Sequence, residues 1–407
     1  MSAMTSRIRN DVLISGGGIA GCVLGLLLAN AGFVVSLVES RLPPETSPEL
    51  DLRVVALSPA AIRLLTHLGI WPLPPGKVAP YSHMEVTGSA TVSSLEFTAR
   101  EIAANELGFI VEMRALHDAL FRRLRERATV IAPDRIDSLR VLPDGIELAL
   151  AAGGIQRAKL LVIAEGEHSA LREQLGIRTH GRDYESSGVV CHLRTEQPNP
   201  GIAFQRFGPG GPLAFLPLAD GRSSLVWTRP ASKVPGLLAL DDSAFAERLD
   251  HASGRRFGRV LEVSTRQAFP LRLALADSVI TSRTVLLGDA AHRVHPLAGL
   301  GLNLGLQDAA ALVEVLDAAR LRGRDLGGEG TLKRYQAWRQ SDAEWTAALV
   351  DAIERGFRGG DESRLPSLLQ RGLGWINAAP PLKQLLAQAA CGQLGRVPSV
   401  MRVTAGG

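Results

Sequence analysis

Cysteine is scarce: three in 407 residues, Cys22, Cys191 and Cys391, far apart and with no Cys-x-x-Cys pair. That excludes a disulfide framework and a cysteine-ligated zinc site, and it fits a reducing cytoplasm. Lysine is almost as rare. Five of the 45 basic residues are lysine, and the rest are arginine. Against 41 acidic residues the net charge is only +4, too balanced to point to nucleic acid. The densest basic run, Arg122, Arg123, Arg125 and Arg127, follows an apolar helical pattern and reads as a solvated face. Aromatic residues are few at 5%. Internal repeats are missing, as is any linker long enough to separate independent domains. Hydrophobic residues at 46% and charged residues at 21% exclude disorder. A chain this long gives a prior of two to three domains and buries roughly three quarters of its unfolded surface, so no covalent or metal staple is needed.

Charge is also lacking over one long stretch near the N-terminus. Residues 12–38, VLISGGGIAGCVLGLLLANAGFVVSLV, are 27 residues without a charged side chain. By length they qualify as a membrane span. Arg7 and Arg9 ahead of them resemble the start of a signal peptide, and Gly17-x-x-x-Gly21 matches a membrane helix-packing spacing. The internal order says otherwise. A short apolar strand (11–15) meets three glycines, then a helical run, then the β-branched run FVVSLVE. Gly16, Gly18 and Gly21 fit GxGxxG, and Glu39 follows Gly16 by 23 residues. Gly16 permits the tight turn, Gly18 lets the backbone approach a pyrophosphate, and Gly21 lets the helix pack on the strand. The helix opening at Ile19 and Ala20 presents free N–H groups and partial positive charge to phosphates. Glu39 can accept hydrogen bonds from a ribose and disfavours a 2′-phosphate. These residues bind a dinucleotide, and their place at the N-terminus suggests FAD.

Further along, 41–52 is a Pro- and Glu-rich loop. Residues 58–69 have helical spacing, with Ser58 as N-cap and Gly69 just past the end. A second helix is expected at 113–128 and a buried strand at 158–164. From about 184 to 277 short strand-like runs alternate with the turn signals GPGGP and ADG, which predicts a mostly β insertion. Residues 284–288 return to buried-strand texture. Helical patterns follow at 301–321, 331–356 and about 365–392. The expected partition is a discontinuous nucleotide-binding domain (1–75, 100–180, 278–360), a substrate domain (76–99, 181–277) and a C-terminal helical segment (361–407). Ligands usually bind between such domains.

The most specific run is VLLGDAAHRVHPLAGLGLNLGLQD, residues 285–308. A strand ends at Gly288-Asp289, and a Pro/Gly loop feeds a helix beginning near Gly301. Asp289 can bond a ribitol hydroxyl. The helix start at Gly301, Leu302 and Asn303 can offer N–H groups to a ring carbonyl that gains charge on reduction. At these residues the chain resembles the group A flavoprotein aromatic hydroxylases, and within them the ubiquinone-biosynthesis hydroxylases, whose run is close to GDAAH…HPxAGQGxNxGxxD. Leu300 stands where that family has Gln. The likeness extends over essentially the full length. It includes RVVALS at 53–58 with LGIW at 68–71, GFIVEMR at 108–114, and PPLK at 380–383 with ACG at 390–392. The middle fingerprint, G-A-D-G-x-x-S-x-x-R in the family, reads IAEGEHSALR here, with Glu165 in place of Asp.

The resemblance implies an α/β fold: a Rossmann-like, discontinuous FAD-binding domain with an inserted mostly β substrate domain and C-terminal helices. It implies noncovalent FAD reduced by NADH or NADPH without a second Rossmann fold. Oxygen would then react as a flavin C4a-hydroperoxide with a small hydrophobic aromatic substrate, a polyprenylated phenol in the ubiquinone pathway. Arg53, Arg114 and Glu165 match family positions near the cofactors. Pro296 shapes the loop above the ring, and His292 or His295 relays the phenol proton or braces that loop. Glu112 and Asp308 read as helix-end or solvent charges. A cytoplasmic protein is expected, in peripheral contact with the membrane and in complex with other quinone-pathway enzymes. The substitutions at Leu300 and Glu165 leave two alternatives open. One is the same chemistry on another aromatic in pigment or secondary metabolism, and the other is a flavin-binding accessory protein without turnover.

Overall fold

The structure, a computed structural model, describes residues 8–43, 51–88, 94–102, 104–208, 210–294, 300–358, 392 and 395–403. Five parallel strands form the centre of an eight-stranded sheet. Their order is Thr284–Leu286, Ile155–Ile163, Asn10–Ser15, Val35–Val38, Thr129–Ile131. Ile280–Thr281 and the hairpin Ile136–Val141/Ile146–Leu150 add antiparallel strands. Consecutive residues Val12, Leu13 and Ile14 are all fully buried. Both faces of their strand are therefore covered, which is why the uncharged run shows no polar alternation. The helix Ile19–Asn30 packs on Leu300–Leu321 and Met113–Arg125. Among the described residues no helix is long and apolar enough to cross a membrane.

A nine-stranded sheet carries the other half of the molecule. Its strands run in the order His292–Arg293, Gln267–Ala276, Thr179–Thr195, Ser223–Pro230, Gly211–Pro217, Ile202–Gly208, His83–Thr87, Ser94–Thr98, with Val260–Val263 also paired to Thr179–Thr195. Register alternation splits its faces. Cys191, Leu225, Phe215 and Phe204 join one core cluster, while Val190, Val226 and Ala214 turn to the opposite face and line a cavity. Two helices interrupt the β texture read from 184–277, at Val234–Leu238 and Asp242–Ser253. The second is locally encoded. Asp241 accepts from the Ala244 N–H at 2.8 Å, Gly254 ends the helix at φ +66°, and Phe245 and Leu249, one turn apart, are buried on the sheet.

A small antiparallel sheet, Val54–Leu57, Gly108–Glu112 and Val78–Tyr81, lies beside these. The helix Pro59–His67 starts where Ser58 Oγ accepts from the Ala61 N–H and ends before Gly69 at φ +68°. Helices Leu300–Leu321 and Glu329–Arg358 follow the last parallel strand. The helical pattern read at 365–392 falls outside the described residues except for Gly392.

Candidate active site

A cavity of about 1110 Å³ runs from the glycine turn after the first strand to the open face of the nine-stranded sheet. At its nucleotide end, Gly16 sits at φ +106°, and a Cβ there would lie 2.3 Å from the Ala164 carbonyl oxygen. A Cβ on Gly21 would lie 2.1 Å from the Gly16 oxygen. Both positions exclude a side chain because backbone already occupies the space. Gly18 differs: a Cβ there would meet no atom within 4 Å, so its missing side chain leaves room on the cavity side. The helix beginning at Ile19 has no side-chain cap, which leaves its first N–H groups for a ligand. Three side chains fix the Gly17 peptide. Glu39 Oε2 accepts its N–H at 2.5 Å, and its carbonyl accepts from His117 Nε2 at 2.6 Å and from the Cys22 thiol at 3.1 Å. Glu39 Oε1 also accepts the Arg41 N–H.

Gly16, Gly18, Ile19, Ala20, Glu39, Arg53, Arg114, Glu165, Asp289, Gly301 and Leu302 all line this cavity. Gly21 stands behind it. The Asn303 side chain also points elsewhere, with Oδ1 accepting from the Ser58 N–H and Nδ2 donating to the Ala56 carbonyl. It ties the Leu300–Leu321 helix to the Val54–Leu57 strand. Asp51 holds Arg114, accepting its backbone N–H at 3.0 Å and facing its guanidinium. Glu165 is engaged on both oxygens, accepting from Ser15 Oγ at 2.6 Å and Ser169 Oγ at 2.7 Å. Its Oε2 also accepts the Leu171 N–H at 3.3 Å, at the start of the Ala170–Gln174 turn that Ser169 caps. Buried Arg172 joins that turn to the second signature by donating to the Glu167 and Ala290 carbonyls. Asp289 opens into the cavity. Desolvation raises its carboxyl above the ordinary value, Asp308 adds to the rise, and His292 opposes it.

Two sequence readings are corrected here. Asp308 is not a solvent charge: it is fully buried. Its Oδ2 meets His292 Nε2 at 2.5 Å and accepts the Gly288 N–H at 3.3 Å, while Oδ1 accepts from Arg339 Nε at 2.7 Å. Glu112 precedes the Met113–Arg125 helix, as expected of a helix-end charge, but it is buried and paired with Lys77 at 3.1 Å. Burial opposes charge on His292, but Asp308 outweighs it and lifts the imidazole above its ordinary value. Burial alone would raise Asp308, yet the two cations bring it down to about 2. His292 is thus a brace under the Gly288-Asp289 turn, and its ring lies outside the cavity wall. His295 and Pro296 fall outside the described residues.

Sequence reading missed the far end of the cavity. Gln205, Ala214, Val226, Val190 and Gln267 form one cross-strand row, and all five line the cavity. Three small or β-branched apolar residues thus lie between two amides. His117 and Arg339 were missed as well, and no local motif contains them, because each is held by a partner distant in sequence.

Residues 9–349 match the family model described as FAD binding domain. The ubiquinone hydroxylase UbiL of Rhodospirillum rubrum is 36% identical over 97% of this chain and 92% of its own length. The 3-demethoxyubiquinol 3-hydroxylase of Escherichia coli is 33% identical over 90% of this chain and 94% of its own. Among solved structures, PqsL of P. aeruginosa in complex with 2-aminobenzoylacetate superimposes with a TM-score of 0.75 at 25% identity, covering 88% of this chain and 99% of that one.

Proposed function

Because the chain belongs to the FAD-binding family of flavoprotein aromatic hydroxylases, in which its relatives are ubiquinone hydroxylases, we propose that it hydroxylates the ring of a polyprenylated phenol in ubiquinone biosynthesis. It is an FAD-dependent monooxygenase that uses NADH or NADPH as reductant. The observation that carries the substrate reading is the continuity of one cavity from the glycine turn to an apolar sheet floor. The residues present fit FAD. Open space at Gly18 and an uncapped helix start suit a diphosphate, and the volume exceeds what a single small ligand requires.

In this reading Gly16, Gly18 and the Ile19 helix start hold the pyrophosphate, with Gly21 supporting them from behind. Glu39 takes the adenosine ribose, and Asp289 takes a ribitol hydroxyl. Arg53 and Arg114 flank the flavin, with Gly301 and Leu302 at its ring. Bound FAD, once reduced by the nicotinamide cofactor, supplies the activated oxygen. The protein's part is to orient the ring over the Val226 row, exclude water and manage the phenol proton. Residues 76–99 and 181–277 act as the substrate-binding unit. A peripheral membrane contact, where a prenylated substrate is collected, and association with other quinone-pathway enzymes belong to the same reading. They rest on the chemistry of that substrate.

Two measurements test this. Purified protein should carry, or take up, FAD with its yellow absorption. Removing the protein from its host should cause a quinone precursor lacking one ring hydroxyl to accumulate. Unchanged quinones in a host lacking the protein would overturn the pathway assignment, and failure to bind FAD would overturn the reading altogether.

A further inference from the structure

The run Gly16-Gly17-Gly18 gives the turn after the first strand more backbone freedom than any other residue type would. A turn that grips a ligand with its N–H groups must lose that freedom beforehand, or the ligand's binding energy is spent on ordering it. The peptide joining Gly17 to Gly18 decides the matter. In a planar trans peptide the carbonyl and the following N–H point in opposite directions. Whatever holds the Gly17 carbonyl therefore aims the Gly18 N–H. That N–H has no partner among the described residues. Gly18 lines the cavity, with open space where a side chain would stand.

Two side chains hold the Gly17 carbonyl: His117 Nε2 at 2.6 Å and the Cys22 thiol at 3.1 Å. A carbonyl can only accept, so His117 Nε2 carries a proton. Burial, with Glu39 adding to it, pushes the Cys22 thiol up, so it stays protonated, but a thiol is a weak donor. His117 is thus the stronger of the two holds, and it comes from a different element. It sits in the helix Met113–Arg125, one turn before Phe121, whose ring it meets edge-on with centroids 6.0 Å apart. That helix packs against Ile19–Asn30. The approach is close at Gly25, where a Cβ would lie 2.8 Å from Leu124 Cδ1. The small residue lets the second helix come near enough for His117 to reach the glycine turn. On the other side of Gly17, Glu39 Oε2 accepts the N–H at 2.5 Å.

We infer that His117 is a positioning residue for the cofactor: by holding the Gly17 carbonyl it sets the Gly18 N–H toward the diphosphate before FAD arrives. His117 acts through the peptide and not on the ligand. The competing role is direct contact with FAD, because its ring also borders the cavity. The inference rests on the FAD reading above and adds to it a residue outside the glycine motif.

The test compares the full-length wild type with His117→Phe and His117→Gln. Phenylalanine keeps a ring against Phe121 and removes the donor. Glutamine restores an N–H at similar reach. FAD affinity is read by fluorescence titration, and amide hydrogen exchange is followed by mass spectrometry on the FAD-free proteins. His117→Phe should weaken FAD about tenfold, the net value of one hydrogen bond. It should also speed exchange at residues 15–19 without FAD, while the distant Asp242–Ser253 helix exchanges as in wild type. His117→Gln should recover most of both. Wild-type affinity in His117→Phe would overturn the inference. So would weaker affinity with unchanged exchange at 15–19, which would mean that His117 meets FAD directly. Faster exchange throughout, the Asp242–Ser253 helix included, would overturn it as a general loss of stability. A glutamine variant as weak as the phenylalanine variant would show that the donor is not what matters. Failure of the wild type to bind FAD counts instead against the function proposed above.

Discussion

At the scale of single residues, the glycine motif separates into two physical roles that sequence alone treats as one. Gly21 is excluded from change by backbone: its Cβ would stand 2.1 Å from the Gly16 oxygen. Gly18 has ordinary helical-entry dihedrals, φ −66° and ψ 178°, and open space around it. Gly21→Ala should therefore destabilise the protein with or without FAD, by at least about 1–3 kcal/mol, since the core must shift to admit the methyl group. Gly18→Ala should leave the melting temperature of FAD-free protein unchanged and weaken FAD about tenfold, equivalent to about 1.4 kcal/mol. Thermal denaturation and fluorescence titration of both variants check this. Equal FAD affinity in Gly18→Ala and wild type would show that the open space is not where the phosphates lie.

Between elements, the Asp308 cluster joins the Gly288-Asp289 turn, the Leu300–Leu321 helix and, through Arg339, the Glu329–Arg358 helix. Its pH behaviour follows from the two shifts. His292 has a raised folded value, so its contribution is complete below about 6.5, the unfolded value, and is lost as pH rises through the folded one. Asp308 has a depressed value, so its contribution is complete above about 3.9 and is lost as pH falls toward 2. The cluster is thus most stabilising between about pH 4 and 6.5. His292→Gln should lower the melting temperature most at pH 5–6, and the gap to wild type should shrink toward pH 9. A gap constant across that range would mean that the ring is neutral in the native state. None of this was legible beforehand. Asp308 sits in a readable motif, but its partner Arg339 lies 31 residues on, in an otherwise ordinary helical pattern. The strand–glycine–helix unit was legible because its strand, glycine spacing, helix and acidic residue follow one another directly in sequence. Likewise, the Asp242–Ser253 helix was hidden by the turn-rich texture around it, and the row from Gln205 to Gln267 exists only through strand register.

Across the whole molecule, the two large sheets are not merely neighbours with a gap between them. After its last residue in the parallel sheet, Leu286, the chain passes through Gly288–Ala290 and then pairs His292–Arg293 with Leu275 and Ala274 of the second sheet. Arg293 also contacts Glu167, beside the Glu165 turn. The segment bearing Asp289 is therefore anchored to both sheets within four residues. Whatever rigidifies that segment must be felt on both sides of the cavity. A ligand that binds only the native state adds RT ln(1 + [L]/Kd), about 2.7 kcal/mol at a hundredfold excess over Kd. Here that energy should not stay with the nucleotide end. Adding FAD to FAD-free protein should slow amide hydrogen exchange at the glycine turn, and by a comparable factor in the Gln267–Ala276 strand, which contributes Gln267, Phe269 and Leu271 to the cavity wall. Exchange mass spectrometry resolves the two segments. Protection confined to the parallel sheet would mean that the strand pairing at His292–Arg293 opens independently of the cofactor, and that the substrate floor is organised without it.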